Sequence, residues 1–192
     1  ASKKAISMIL FKLEGQLIYR NPEFKMEDRL LLHKIDRNTS SITIDGKILP
    51  LKSAYFPTLI QLSPYSLTEE EAQIMRDLRI TFQESERLHK HIRFLYKKGS
   101  MYRCYNQNLL FHGCIPLDEN GDFANITFDG KTYFGKSYMD YADKKAREAY
   151  FGIKQQKNLD FMWYLWCGRK SPLSGRKIKT FERDIIDDPL SW

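Results

Sequence analysis

Two Asp-Gly pairs set the first constraint on this chain. Asp45-Gly46 sits inside Ser41-Ile-Thr-Ile-Asp45-Gly46-Lys-Ile-Leu, and Asp129-Gly130 inside Ile126-Thr-Phe-Asp129-Gly130-Lys131-Thr-Tyr. Asp-Gly accepts the two positive φ angles of a type I′ turn, so each stretch predicts a tight antiparallel hairpin. The shared Ile-Thr-apolar-Asp-Gly-Lys pattern is read as one turn chemistry used twice, because the turn type itself selects Asp-Gly. A third hairpin is expected from Met101–Tyr105, a turn at Asn106-Gln107-Asn108, and Leu109–His112.

Helical patterns surround these hairpins. From Ala5 to Arg20, apolar residues fall at Ile6, Ile9, Leu10, Leu13 and Leu17, with Met8 and Phe11 widening the buried face. Asn21-Pro22 ends it. A helix starting so close to Ala1 predicts a piece of a longer chain. Asp28–Ile35 reads as a short helix. Thr68-Glu69-Glu70-Glu71 is a capping box opening a long helix toward Lys98, with a break between Thr81 and Ser85. Its predicted core face carries Met75, Leu78, Phe82, Leu88, Ile92 and Leu95. Gly135–Phe151, Leu159–Trp166 and Phe181–Ile186 complete the helices, the second expected to be buried. With no low-complexity stretch or linker, the expected fold is α+β over residues 1–192: one compact unit, helices packed on short antiparallel hairpins.

Composition excludes several classes. At 192 residues the chain can bury a core without staples. Three cysteines, Cys104, Cys114 and Cys167, have no CxxC spacing, which argues against a disulfide framework or a thiolate zinc site. Reduced, mostly buried thiols in a cytoplasmic protein are the expectation. Polar residues interrupt every apolar run, so no membrane span or membrane partner is expected. The net charge of +7 and pI near 9.2 favour acidic partners. A nucleic-acid-binding or interaction module is one rival reading of that charge. The aromatics follow core patterns rather than a stacking stripe, so nucleic acid is not the expected partner.

Among the four histidines, His89 and His91 are two apart on a helix and cannot chelate one ion together. His33 reads as surface. His112 closes the apolar strand Leu109-Leu110-Phe111 and precedes Gly113, which would let the backbone turn and bring the imidazole to a strand end facing a cleft. On residues alone, a satisfied structural histidine and a metal ligand both remain open. Asp118–Asp122 resembles a calcium loop only superficially and reads as a solvated turn. Arg169, Lys170, Arg176, Lys177, Lys179 and Arg183 cluster around Ser171-Pro172. This fits either a phosphate-gripping loop or a solvated basic surface. No catalytic nucleophile or acid–base pair is identified.

Four blocks carry a family resemblance in order along nearly the whole chain. They are Lys4-Ala-Ile through Phe11-Lys-Leu-Glu-Gly-Gln-Leu-Ile with Arg20-Asn-Pro; Arg93–Tyr102; Asn108-Leu-Leu-Phe-His-Gly-Cys-Ile-Pro-Leu117; and Trp163-Tyr-Leu-Trp-Cys-Gly168 with Ser171-Pro-Leu173 and Thr180-Phe-Glu-Arg183. Together they resemble the class III fructose-bisphosphatases of Firmicutes and related bacteria. That resemblance implies a calcineurin-like metallophosphoesterase (α/β/β/α) parent using a two-metal site. Its implied reaction is hydrolysis of the 1-phosphate of fructose bisphosphate to fructose 6-phosphate, in gluconeogenesis. It implies a divalent metal cofactor, with manganese expected, and His112 as a metal ligand in the strand-end His-Gly motif. Arg169, Lys170 and Arg176 become substrate-binding candidates. Implied partners are the phosphorylated sugar and the remainder of the parent chain, and a homo-oligomer is compatible with the pattern. No GDxH, GDxxDRG, GNH[DE] or GHxP occurs in the chain, so it resembles the middle of such an enzyme and is expected to be inactive alone. A protein phosphatase-like metallophosphoesterase shares the His-Gly motif and is the rival enzyme reading.

Overall fold

The computed structural model describes residues 2–152, 155–175 and 178–187. Among them are six α-helices and three small antiparallel sheets, an α+β arrangement. Contacts group the chain into two units, residues 1–81 with 179–192, and residues 82–178. The division at Thr81/Phe82 falls inside a helix, so no change of composition announces it. No helix among the described residues is long and apolar enough to cross a membrane.

In the first unit, α1 (Ser2–Arg20) is the central element. It buries Met8, Ile9, Phe11, Leu17 and Ile18, whereas Ile6 is exposed. Phe11 packs on Phe181 of α6 (Thr180–Ile185), with ring centroids 5.0 Å apart. Ser7 Oγ donates to Asp184 on the same helix at 2.8 Å. Asp28–Ile35 does not form the expected α-helix. Two 3-10 turns, Glu27–Arg29 and Leu32–Lys34, lead into β1 (Ile35–Asp36). Leu30, Leu31 and Leu32 are all buried, and three consecutive side chains cannot share one face of an α-helix. β2 (Ser41–Ile44) and β3 (Lys47–Pro50) form the expected hairpin, with Asp45 at φ 50° and Gly46 at φ 78°.

The capping box at the start of α2 (Glu69–Glu84) is present. Thr68 N–H donates to Glu71 Oε2 at 2.9 Å, and Glu71 N–H donates to Thr68 Oγ1 at 3.3 Å. Glu71 has a second task. Fully buried Lys12 on α1 donates to the same carboxylate at 2.6 Å and to the Thr58 carbonyl at 2.6 Å. Burial pushes the Glu71 carboxyl up, but hydrogen bonds from Lys12, Thr58 and the Thr68 amide outweigh it and leave the pKa lowered.

The second unit begins at Phe82, near the end of α2. The helix breaks where expected: α3 (Glu86–Lys98) restarts with Ser85 as N-cap, its Oγ accepting from Leu88 N–H at 3.3 Å. The predicted apolar face of α2 and α3 is only partly covered: Met75, Leu88 and Ile92 are half-buried. Leu78, Phe82 and Leu95 are exposed. β4 (Tyr102–Tyr105) and β5 (Asn108–Phe111) pair as a hairpin, as do β6 (Ile126–Phe128) and β7 (Lys131–Tyr133). The core lies around Phe128, Tyr138, Tyr141, Phe161 and Tyr164, which join β6 to α4 (Gly135–Phe151) and α5 (Gln156–Cys167) through stacked and edge contacts of 5.2 to 6.4 Å. α5 is only partly buried: Phe161 and Leu165 are covered, Trp166 is exposed. Arg147 on α4 donates to the Tyr96 and Gly99 carbonyls at 2.7 and 2.9 Å, satisfying acceptors at the end of α3. His89 is held between Tyr150 Oη at 2.7 Å and the Gln83 carbonyl at 2.8 Å.

The Lys12–Glu71 pair makes a signed prediction. Lys12→Met leaves a buried carboxylate unpaired and should cost about 3 kcal/mol at pH 7 in urea unfolding, while Lys12→Met with Glu71→Leu should recover most of it. Because the folded pKa of Glu71 is lowered, the stability it contributes is present above its unfolded value and lost as pH falls through the lower folded value. The deficit of Lys12→Met should therefore shrink on acidification below about pH 4. A deficit independent of pH would show that the lysine stem's packing matters and the pairing does not.

Candidate functional site

His112 follows β5 directly and is exposed. Among the described residues it makes no hydrogen bond, so both ring nitrogens are available to solvent or to a ligand. It lies at the rim of a groove of about 770 Å³ lined by Leu95, Tyr96, Met101, Tyr150, Met162 and Leu173 among others. That lining suits apolar side chains, not a sugar carrying two phosphates.

The residues after His112 are fixed against the basic loop. Cys114 N–H donates to the Pro172 carbonyl at 3.1 Å, and the Cys114 thiol faces the Ser171 carbonyl at 3.4 Å. Gly113 is required here by close approach, not by a positive φ. A Cβ on it would fall 2.5 Å from Pro172 O and 2.6 Å from the Leu173 carbonyl carbon. Both are backbone atoms that cannot rotate aside. Burial raises the Cys114 pKa, so it stays a thiol at neutral pH and offers no thiolate for catalysis or metal binding.

The loop itself is anchored from inside. Ser171 and Pro172 are fully buried. The Ser171 hydroxyl donates to Leu165 O at 2.5 Å and accepts from Leu173 N–H at 3.1 Å. Fully buried Tyr138 donates from its hydroxyl to the Lys170 carbonyl at 2.8 Å. Burial and the neighbouring Tyr164 push the Tyr138 pKa far up, so it remains a neutral donor. Arg169 and Lys170 extend outward, exposed, from this anchored backbone. Arg176 lies outside the described residues. The fold thus brings His112 and the Arg169–Lys170 loop onto joined backbone, two features read separately in the sequence.

Tyr138 and Ser171 are the positioning residues that sequence reading passed over. A signal for Tyr138 was available: it lies on the stripe with Tyr141, Ala142, Ala146 and Ala149, and a tyrosine in a buried stripe needs a partner for its hydroxyl. Ser171 gave no such signal, because serine in a loop is ordinary.

The remaining titratable groups do not add ligands. No group of three or more His, Cys, Asp or Glu side chains able to hold a metal gathers among the described residues. Asp118–Asp122 is an exposed turn in which Asp118 Oδ1 accepts from the Asn120 and Asp122 amides at 2.9 and 3.0 Å, as expected of a solvated loop. Of the cysteines, Cys104 is exposed, Cys114 half-buried and Cys167 buried, so the thiols are not mostly buried as expected. β4 and β5 are too thinly covered to enclose Cys104. Asp129 gathers Lys157 at 2.5 Å, Lys145 at 3.3 Å and the Tyr141 hydroxyl at 3.0 Å, and the Lys157 hydrogen bond leads the effects that hold its pKa at about 2. Its carboxylate is fully committed to these partners.

A family model described as Firmicute fructose-1,6-bisphosphatase matches residues 1–192. The chain is 50% identical over 190 residues to a class 3 fructose-1,6-bisphosphatase of Clostridium novyi and 51% identical over 191 residues to one of Clostridium tetani. It is 50% identical over 192 residues to one of Alkaliphilus metalliredigens. Each match covers 96% of this chain and 29% of the relative, so the chain spans less than a third of the length of these proteins. No solved structure matches it significantly.

Gly113→Ala tests the docking of the strand end on the loop. The added methyl meets backbone on the facing segment, so the substitution should destabilise the second unit by about 2 kcal/mol and speed amide exchange at Ser171 and Leu173. Unchanged stability and exchange would mean that the loop is free to yield.

Proposed function

The chain belongs to the Firmicute fructose-1,6-bisphosphatase family, and from that premise we propose that it is the part of such an enzyme that supplies one metal ligand and a phosphate-binding loop. The reaction proposed for the whole polypeptide is hydrolysis of the 1-phosphate of fructose bisphosphate, giving fructose 6-phosphate in gluconeogenesis, within a calcineurin-like metallophosphoesterase. The observation that carries this reading is His112: exposed at the end of β5, in the family-matched segment, with no hydrogen bond among the described residues.

The residues described here do not fit a complete metal centre. One exposed imidazole cannot hold a divalent ion against water, because affinity needs several converging ligands. The proposed divalent metal, with manganese as the expected ion, therefore depends on donors outside this chain. By itself the chain is proposed to release no phosphate.

What the chain's own residues do is hold position and charge. β5 carries His112 to a strand end, and the contact of Gly113 and Cys114 with Pro172 fixes it relative to the loop. Tyr138 and Ser171 hold that loop's backbone, so Arg169 and Lys170 start from a rigid base. A guanidinium on such a base can meet a phosphate bidentately with less ordering cost than one on a mobile loop. The proposed partner of these cations is the substrate phosphate that is not cleaved.

Two measurements test the assignment in the full-length polypeptide that contains these residues. His112→Ala should leave thermal stability within about 0.5 kcal/mol, since the side chain is exposed, while bound metal and turnover fall together by roughly 100-fold or more. Normal metal content would reduce His112 to a surface residue. Neutralising Arg169 and Arg176 one at a time should lower kcat/KM for fructose bisphosphate about tenfold or more, and leave a small monophosphate ester nearly unaffected. Equal losses on both substrates, or none, would leave the loop as ordinary basic surface.

A further inference from the structure

We propose that β5 is an inner strand of a larger sheet, and that the strand beside it comes from the part of the family polypeptide lying outside residues 1–192. This rests on the family reading above for the source of the strand, but not on the metal assignment. Within the described residues β5 pairs only with β4. The register sets Leu109 and Phe111 beside Cys104 and Tyr102 on one face, and Leu110 beside Arg103 on the other. Leu109, Leu110 and Phe111 are 45%, 55% and 44% exposed, so apolar side chains stand uncovered on both faces at once. A strand of consecutive apolar residues is the pattern of one covered on both sides.

The backbone points the same way. Asn106 and Gln107 both have positive φ, making a two-residue turn that places Tyr105 and Asn108 as a hydrogen-bonded pair. Ladder alternation then makes Arg103–Leu110 the next bonded pair and turns the Leu109 and Phe111 amides toward the outer edge of β5. On β4 the outward Tyr102 carbonyl accepts from Ser100 Oγ, and the Tyr102 hydroxyl donates to Asp140 on α4 at 2.9 Å. Among the described residues nothing pairs with the outer edge of β5. Asn108–Phe111 carries no charge and no proline, the usual devices that protect a free edge. A four-residue, two-stranded hairpin is also marginal alone.

The occupant is argued from length. The relatives match nearly all of this chain, yet the chain spans only 29% of them, so more than two thirds of such a polypeptide remains to supply a strand. A second copy of this chain pairing edge to edge would satisfy β5 but bring no further chain to cover its apolar faces, whereas the remaining polypeptide is long enough to supply both. A strand from the same polypeptide would also bring its own side chains beside His112.

Residue-resolved hydrogen exchange on the full-length polypeptide, stripped of metal, tests this. The Leu109 and Phe111 amides should exchange at least ~100-fold more slowly than unprotected amides, at every protein concentration. Fast exchange at both, with Leu110 slow, would leave β5 as a true edge and overturn the proposal. Protection that appears only as concentration rises would assign the edge to a second copy and overturn it as well. Because the sample carries no metal, this outcome is independent of whether His112→Ala loses metal.

Discussion

The strand end at Gly113 and the loop at Pro172–Leu173 meet backbone to backbone, and the rest of the site is arranged around that contact. A side chain on residue 113 would separate them. With glycine there, the Cys114 amide reaches the Pro172 carbonyl, and the imidazole of His112 and the cations of Arg169 and Lys170 share one frame. All three of these side chains are exposed. Their precision comes from buried residues one step behind them: Pro172, the Ser171 hydroxyl and the Tyr138 phenol. This is economical in electrostatic terms. Exposed cations avoid the desolvation penalty, while neutral hydroxyls carry the burial.

The first unit solves its polar problem in the opposite way. Lys12 is fully buried with its charge, and Glu71 serves at once as helix cap and counter-ion. One carboxylate thus ties α1, the Thr58 turn and the start of α2 together. A second buried pair, Arg29 with Glu14 at 2.5 Å, fixes the 3-10 segment to α1. Such pairs add little net stability against apolar replacements, but they specify register, since a misplaced helix would strand a charge. The unit is therefore built for a defined geometry more than for maximal stability.

Local chemistry was legible in the sequence wherever one residue type has one dominant conformational use. The Asp-Gly hairpins, the Thr68–Glu71 box and the Ser85 break are of this kind, and all are present. His112 at a strand end was legible for the same reason, and the family blocks were long enough to identify the family. What was not legible depends on neighbours distant in sequence. Gly113 looks like a turn glycine until Pro172 is placed against it. The boundary at Thr81/Phe82 lies within a continuous helical pattern. Helical periodicity identified the apolar face of α2 and α3 but could not say whether anything covers it.

That last failure is informative. In the second unit Phe82, Phe94, Leu95, Leu110 and Phe111 are all exposed, and among the described residues the same unit holds an unpaired strand edge and an imidazole with no hydrogen bond. In a finished domain, burial would cover the apolar side chains, a neighbouring strand would bond the edge, and companion ligands would converge on the histidine. Around β5 two kinds of valence are left open among the described residues, hydrophobic and hydrogen-bonding, and the coordinative role proposed for His112 would add a third. A strand pairing with β5 would satisfy its outward amides, but Leu109 and Phe111 stand on one face and Leu110 on the other, so covering them takes chain on both sides of the sheet as well.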